Sequence, residues 1–251
     1  MSRYTGLKAV YKREFRGYFA TPLGYIFMVV FLVSAGLLTI SRDFGRFLEL
    51  RQASLDSFFN FLPWLFVALA PAVAMRLWAE ERKTGTVELL FTLPITLRGS
   101  YLGKFLAGWS FMLVSLAMTC PIVLVVAWLG DPDWGTIVTG YLGCALCVGL
   151  YLAIGMTFSA MTKNQVVAFI LGLAASMIFL NIGRPQSLEV FANIPAIGSY
   201  LEQLAASMSI IDHFNSLTRG LVELRTLAFF SISTIGWLAA GMALLNEVKA
   251  S

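Results

Sequence analysis

The stretch Glu80-Glu81-Arg82-Lys83-Thr84-Gly85-Thr86-Val87-Glu88-Leu89-Leu90-Phe91-Thr92-Leu93-Pro94 interrupts a long apolar region. Nothing else between residues 57 and 130 is so polar, so this segment is expected to leave an apolar medium and meet water or a soluble partner. Its second half reads as a short amphipathic helix. Thr84 or Thr86 can cap the start, and Glu88 falls in the first turn, where a carboxylate suits the helix dipole. Val87, Leu90, Phe91 and Pro94 recur at helical spacing, so one face is apolar. Pro94 pushes Leu93 out of the helical region and ends the helix. An apolar face on a short loop helix needs something to bury it.

On both sides of that segment the composition is that of a membrane protein. Of 251 residues, 58% are hydrophobic and 13% charged, and the mean hydropathy is +0.78. A soluble domain carries charge on roughly a quarter of its residues. Uncharged runs occupy 17–41, 57–75, 105–130, 134–162, 164–183 and 226–246, and about 20 apolar residues suffice for a helical crossing. The prediction is one all-α integral membrane domain over 1–251, with spans at about 22–41, 57–77, 103–130, 135–161, 165–183 and 227–246. Pro63 and Pro71 are expected to kink the second span, and residues 184–225 to form an external segment with two short helices. The runs do not alternate, which excludes a β-barrel. The first run lacks a small-residue cleavage site and reads as a retained helix, with no secretory signal.

Charge placement sets the expected orientation. With the N-terminus cytoplasmic and six crossings, 12 of the 18 basic residues fall inside and 6 outside, while 5 acidic residues fall inside and 9 outside. This satisfies the positive-inside rule. The pI near 9.0 is therefore topogenic, and nucleic acid is not an expected partner. Lys104 counts here as one of the inside charges.

Residues 4–19 form an amphipathic entry segment: Tyr4, Leu7, Tyr11, Phe15 and Tyr18 share one helical face, and Lys8, Lys12 and Arg16 another. Such a helix is expected to lie in the interface, aromatic face among the lipid headgroups and lysines toward phosphates. In the fourth span Ala145, Gly149 and Ala153 repeat every four residues, which suits close helix packing within a subunit or between subunits.

Catalytic chemistry has little to stand on. His213, the only histidine, sits beside Asp212 in the outer segment and reads as a surface or helix-cap residue. Cys144-x-x-Cys147 lies within a span and reads as small-residue packing, as does Cys120; no metal site is expected. The spans show no ionisable residue at depth, which argues against an ion-coupled carrier. The only Gly-Lys pair, Gly103-Lys104, is followed by Phe105, so no phosphate loop is present and the chain is expected to bind no cofactor of its own.

The 80–94 segment resembles the cytoplasmic loop of bacterial ABC-2 type transporter permeases. Lys12-Arg13-Glu14-Phe15-Arg16-Gly17-Tyr18-Phe19, Pro22-Leu23-Gly24-Tyr25, Gly103-Lys104-Phe105 and Thr162-Lys163-Asn164-Gln165 support it in order, so the likeness covers nearly the whole chain. Asp212-His213-Phe214-Asn215-Ser216-Leu217-Thr218-Arg219-Gly220 is similar to the gliding-motility-associated permease subgroup. The resemblance implies a permease subunit of an exporter in the bacterial inner membrane, with both termini cytoplasmic. ATP and Mg would be bound, and ATP hydrolysed, by a separate ATP-binding subunit. Residues 4–19, with Lys8, Tyr11, Lys12, Phe15 and Arg16, would be the elbow helix. Gly85 to Leu93 would be the coupling helix, docking Val87, Leu90 and Phe91 on the ATPase, with Glu80, Glu81, Arg82 and Glu88 setting orientation and Pro94 closing the segment. A second permease subunit, an accessory periplasmic or membrane protein, and membrane lipid complete the expected partners. The residues leave open a non-transporting anchor that only recruits an ATPase, and they do not name a substrate.

Overall fold

The computed structural model describes residues 3–41, 54–86, 96–192 and 198–250, and every regular element among them is helical. Helices α1 (Arg3–Ala20) and α2 (Pro22–Ile40) are separated by Thr21 alone. Pro22 denies Thr21 the helical region, and Thr21 adopts φ −111°, ψ 142°. The chain then turns so tightly that a Cβ on Gly24 would lie 2.0 Å from the Tyr18 carbonyl oxygen.

Helix α3 (Asp56–Thr84) has 29 residues and runs through Pro63 and Pro71 without a break. At 1.5 Å per residue it is about 44 Å long, against a hydrocarbon core of about 30 Å. Glu80 to Lys83, read from sequence as the start of a loop, are thus a continuation of the second span's helix. Thr84 is its last residue, and its hydroxyl donates to Glu80 O at 3.0 Å. Gly85 stops the helix at φ +73°, a left-handed conformation that costs a residue with a Cβ.

The third apolar run is two helices, α4 (Leu97–Ala117) and α5 (Cys120–Leu129). Pro121 has no N–H to donate, and its ring clashes with the carbonyl four residues back, so the helix cannot continue through Met118 and Thr119. Tyr141 OH lies 2.8 Å from Thr119 Oγ1, which donates to Leu116 O at 2.6 Å. Helix α6 (Trp134–Met161) follows, capped by Asp133 Oδ1 on the amides of Gly135 and Thr136. Helix α7 (Gln165–Asn181) is capped by Asn164. Next come α8 (Pro185–Ala192), α9 (Gly198–Ser207) and α10 (Ile210–Thr218), three short helices where two were expected, and then α11 (Leu224–Ala250).

Among the described residues, five apolar stretches are helical and long enough to cross a bilayer: Pro22–Ile40, Asp56–Thr84, Leu97–Leu129, Trp134–Met161 and Leu224–Glu247. The sixth expected span is α7, at 17 residues. Its path runs back along α6. Gly172 abuts Gly155 of α6, while Gly183, just past α7, abuts Ser209, which caps α10. Helix α10 in turn lays Phe214 and Leu217 against Gly143. Helix α7 therefore carries the chain from the Met161 end of α6 back toward its Trp134 end.

Helix α6 is the hub. It packs against α3, α4, α7, α10 and α11, and 67% of its most apolar window is buried, against 17% for α11. Lipid tails are as apolar as leucine, so helices here gain from close van der Waals approach and hydrogen bonds. Glycines on α6 supply the approach: Gly140 meets Phe59, and Gly155 meets Pro71 and Ala74. Gly149 meets Trp109, whose Nε1 donates to Ala145 O at 2.9 Å. The Ala145–Gly149 face thus packs inside the subunit, and Ala153 is fully buried.

Candidate functional site

The charged chemistry gathers where α1, α3 and α4 meet. Arg13 and Glu14 come from α1, Glu81 from the last turns of α3, and Lys104 from two turns into α4. They form a closed ring of alternating charge. Arg13 Nη2 lies 2.6 Å from Glu14 Oε1 and 3.3 Å from Glu81 Oε1. Lys104 Nζ lies 2.8 Å from Glu81 Oε1 and 3.5 Å from Glu14 Oε1. Two carboxylates balance two cations.

Burial separates the members. The Lys104 side chain is 2% exposed, Glu81 19% and Arg13 57%. Removing an ammonium from water is costly unless every donor finds an acceptor. Lys104 meets that condition: Nζ also donates to Leu77 O at 2.6 Å and lies 4.9 Å from the centre of the Trp78 ring. Its three N–H groups therefore have three oxygens in reach. At the wet side of the ring, the bond from Arg13 to Glu14, aided by the charges of both carboxylates, raises the Arg13 pKa above its ordinary value. Beside it, burial pushes the Tyr18 phenol upward. A cavity of about 160 Å³ lined by Glu14, Tyr18, Arg76 and Glu80 opens next to the ring.

Other polar contacts tie the end of α3 to α6. Ser159 Oγ donates to Met75 O at 2.8 Å and accepts from the amides of Trp78 and Ala79 at 3.1 Å. The Arg82 guanidinium donates to Ala160 O. Glu80 pairs with Arg76 at 3.7 Å on the exposed side. Of the charges expected to orient a partner, Glu81 and Arg82 are thus turned onto the chain's own helices. Glu80, Lys83 and Gly85 are exposed. Val87, Glu88, Leu90, Phe91 and Pro94 lie outside the described residues.

In the entry helix Lys8, Lys12 and Arg16 are exposed, and Tyr11 and Phe15 half-buried. Its aromatic face packs on α4, where its sequence pattern predicts lipid headgroups. Tyr11 OH donates to Ser110 Oγ at 3.2 Å, and Tyr18 stacks on Phe111 with ring centres 4.5 Å apart.

Two sequence expectations need correction. Lys104, counted from sequence only as an inside charge, is the most buried member of the ring. The signal available was a lysine two turns into a helix whose other charge, Arg98, sits at its very start; which acid it met depended on the fold. His213 is not a surface residue. It is 8% exposed, stacked on Phe229 at 4.4 Å, with Nδ1 3.0 Å from Thr226 Oγ1 and Nε2 3.2 Å from Ser207 O. A carbonyl only accepts, so Nε2 carries a proton. The residue joins α9, α10 and α11. Cys120, Cys144 and Cys147 are free thiols, the last two buried, and no cluster of three or more metal-ligating side chains occurs among the described residues.

An all-helical chain with several bilayer-length helices and its charges collected at a helical junction defines a multi-pass membrane protein. Its family follows from comparison with known sequences. The chain belongs to the ABC-2 transporters: the family model described as ABC-2 family transporter protein matches residues 9–247. It is accordingly a membrane permease component of an ABC transporter, a family in which ATP is hydrolysed by a separate subunit. No curated protein matches it.

Proposed function

We propose that the chain is the membrane subunit of an ATP-driven exporter in a bacterial inner membrane, driven through the 85–94 segment by a separate subunit that binds ATP and Mg. It crosses six times, termini on the cytoplasmic side, and works with a second permease subunit, identical or related. The subgroup it most resembles is the gliding-motility permease.

The observation that carries this reading is the overshoot of α3. A helix about 44 Å long continues past the apolar core to Thr84 and is pinned there by ion pairs and by Ser159 and Arg82 contacts. A merely solvated connection would not require so firm a stem. The stem holds the segment whose apolar face, Val87, Leu90 and Phe91, has the spacing of a docking helix. The path of α7 back along α6 supports six crossings.

Two experiments test it. Single cysteines replacing Lys163 and Gln186, in a chain without native cysteines, are expected to label from opposite membrane faces; labelling from one face would remove α7 as a span. Phe91→Ala and Glu88→Lys are expected to insert normally yet lose co-purification of the ATP-binding subunit, Phe91→Ala more severely, as for a contact worth about 1–2 kcal/mol. Unchanged recruitment and transport in both variants would refute the coupling role.

A further inference from the structure

We propose that Lys104 is the positioning residue of the coupling stem: it clamps α1, α3 and α4 into one body, so that a push on the 85–94 segment reaches α1 and α4 together. The functional part of this inference rests on the reading under Proposed function; the clamp itself does not.

The argument begins with geometry. Lys104 touches all three helices, since it stands on α4 and reaches Glu14 of α1 and both Glu81 and Leu77 O of α3; Glu81, on α3, reaches Arg13 of α1 and Lys104 of α4 and is its partner in the clamp. Its position is over-determined by three acceptors and by the Trp78 ring, which itself stacks on Tyr101 of α4 at 5.5 Å. Glu81 stands four residues before Gly85, where α3 ends. Displacing the stem therefore strains bonds on α1 and α4 at once. The remaining charges of this end do not bridge the same elements. Glu80 pairs within α3, and Arg82 reaches α6. Direct van der Waals contact between α3 and α4 is sparse compared with that of α1 on α4 or α3 on α6, so the ion pairs supply what packing does not. Rigid elements joined by such networks are the physical means by which one site biases another.

Charge balance must be separated from clamping. Lys104→Met alone leaves two carboxylates facing Arg13, and that excess can unfold the chain. The double variant Glu81→Gln/Lys104→Met keeps one acid, Glu14, and one base, Arg13, and leaves the ring neutral. Spin labels at Lys12→Cys on α1 and Lys83→Cys on α3, both exposed and outside the ring, report the distance between elbow and stem. The chain otherwise carries no cysteine and is measured in lipid nanodiscs. The expected result is a narrow distribution for the parent and for the control Glu80→Gln. The folded double variant should broaden it by about twofold, as α1 and the stem move independently. A parent-like distribution in the folded double variant would overturn the proposal. So would failure of the double variant to fold, which would make the ring a folding determinant and no positioning device. No ATP-binding subunit enters the measurement. A negative result thus leaves the transporter reading standing, and lost recruitment in Phe91→Ala tests that reading separately.

Discussion

Two ends of the helical bundle each dock extra elements on it, and they do so by opposite chemistry. At the junction of α1, α3 and α4 the contact is ionic, with Lys104, Glu81, Glu14 and Arg13 in a neutral ring. Around α10 it carries no ion pair among the described contacts: His213 uses one hydroxyl and one carbonyl, its ring stacks on Phe229, and Phe214 and Leu217 fill the space over Gly143. A buried hydrogen bond between neutral groups has a short reach and fixes a local shape. An ion pair in a poorly solvated site acts farther and punishes the loss of either partner, because the survivor is left charged. The contrast suits a junction that must stay joined under displacement and a second region that need only stay folded.

The sharpest way to break this comparison is Lys104→Met. It should cost about 3–5 kcal/mol, the range for orphaning a buried charge, read as the drop in thermal midpoint of the detergent-solubilised chain. A small loss would mean that the ring is solvated and that the two ends differ less than the geometry says. Next is His213→Ala. Two hydrogen bonds and a ring contact disappear, for about 2–3 kcal/mol. Hydrogen exchange should rise in α10 and the start of α11 while the α1 and α4 amides remain unchanged.

Gly155→Ala tests whether the hub is as closely packed as its glycines imply. The added methyl would lie 2.9 Å from the Pro71 Cα and 2.8 Å from the Ala74 Cβ, and overpacking of this kind costs about 1–3 kcal/mol. Gly36→Ala, with nothing within 4 Å of the new methyl, should be neutral or stabilising by up to about 1 kcal/mol. Equal effects at the two positions would refute the hub. Gly85→Ala should cost less than Gly155→Ala, about 1 kcal/mol from the left-handed backbone alone, since no neighbour lies within 4 Å.

Much of the molecule is legible from its residues. Continuous apolar runs predict the helices, because a chain in hydrocarbon must satisfy its backbone internally. Thr21-Pro22 marks the first break, and Asp133 and Asn164 mark two helix starts. The split of the third run at Thr119 was readable too, since Pro121 announces it, yet the length of the run masked it. Lys104 and His213 were misread for a different reason. Each is a polar residue near an apolar border, where a sequence shows that a charge or ring exists but not which way it points.

Membrane class and helical architecture follow from local properties of the sequence: hydropathy over bilayer length, caps and breakers. The partner of each charge does not. Glu81 meets Arg13 across 68 positions and Lys104 on another helix, and Arg82 meets Ala160 across 78. These pairings arise only once α1, α3, α4 and α6 are packed side by side. Tertiary structure alone therefore decided that two charges of the 80–94 stretch, Glu81 and Arg82, turn inward, because desolvation at a helix junction makes a paired charge far cheaper than a lone one.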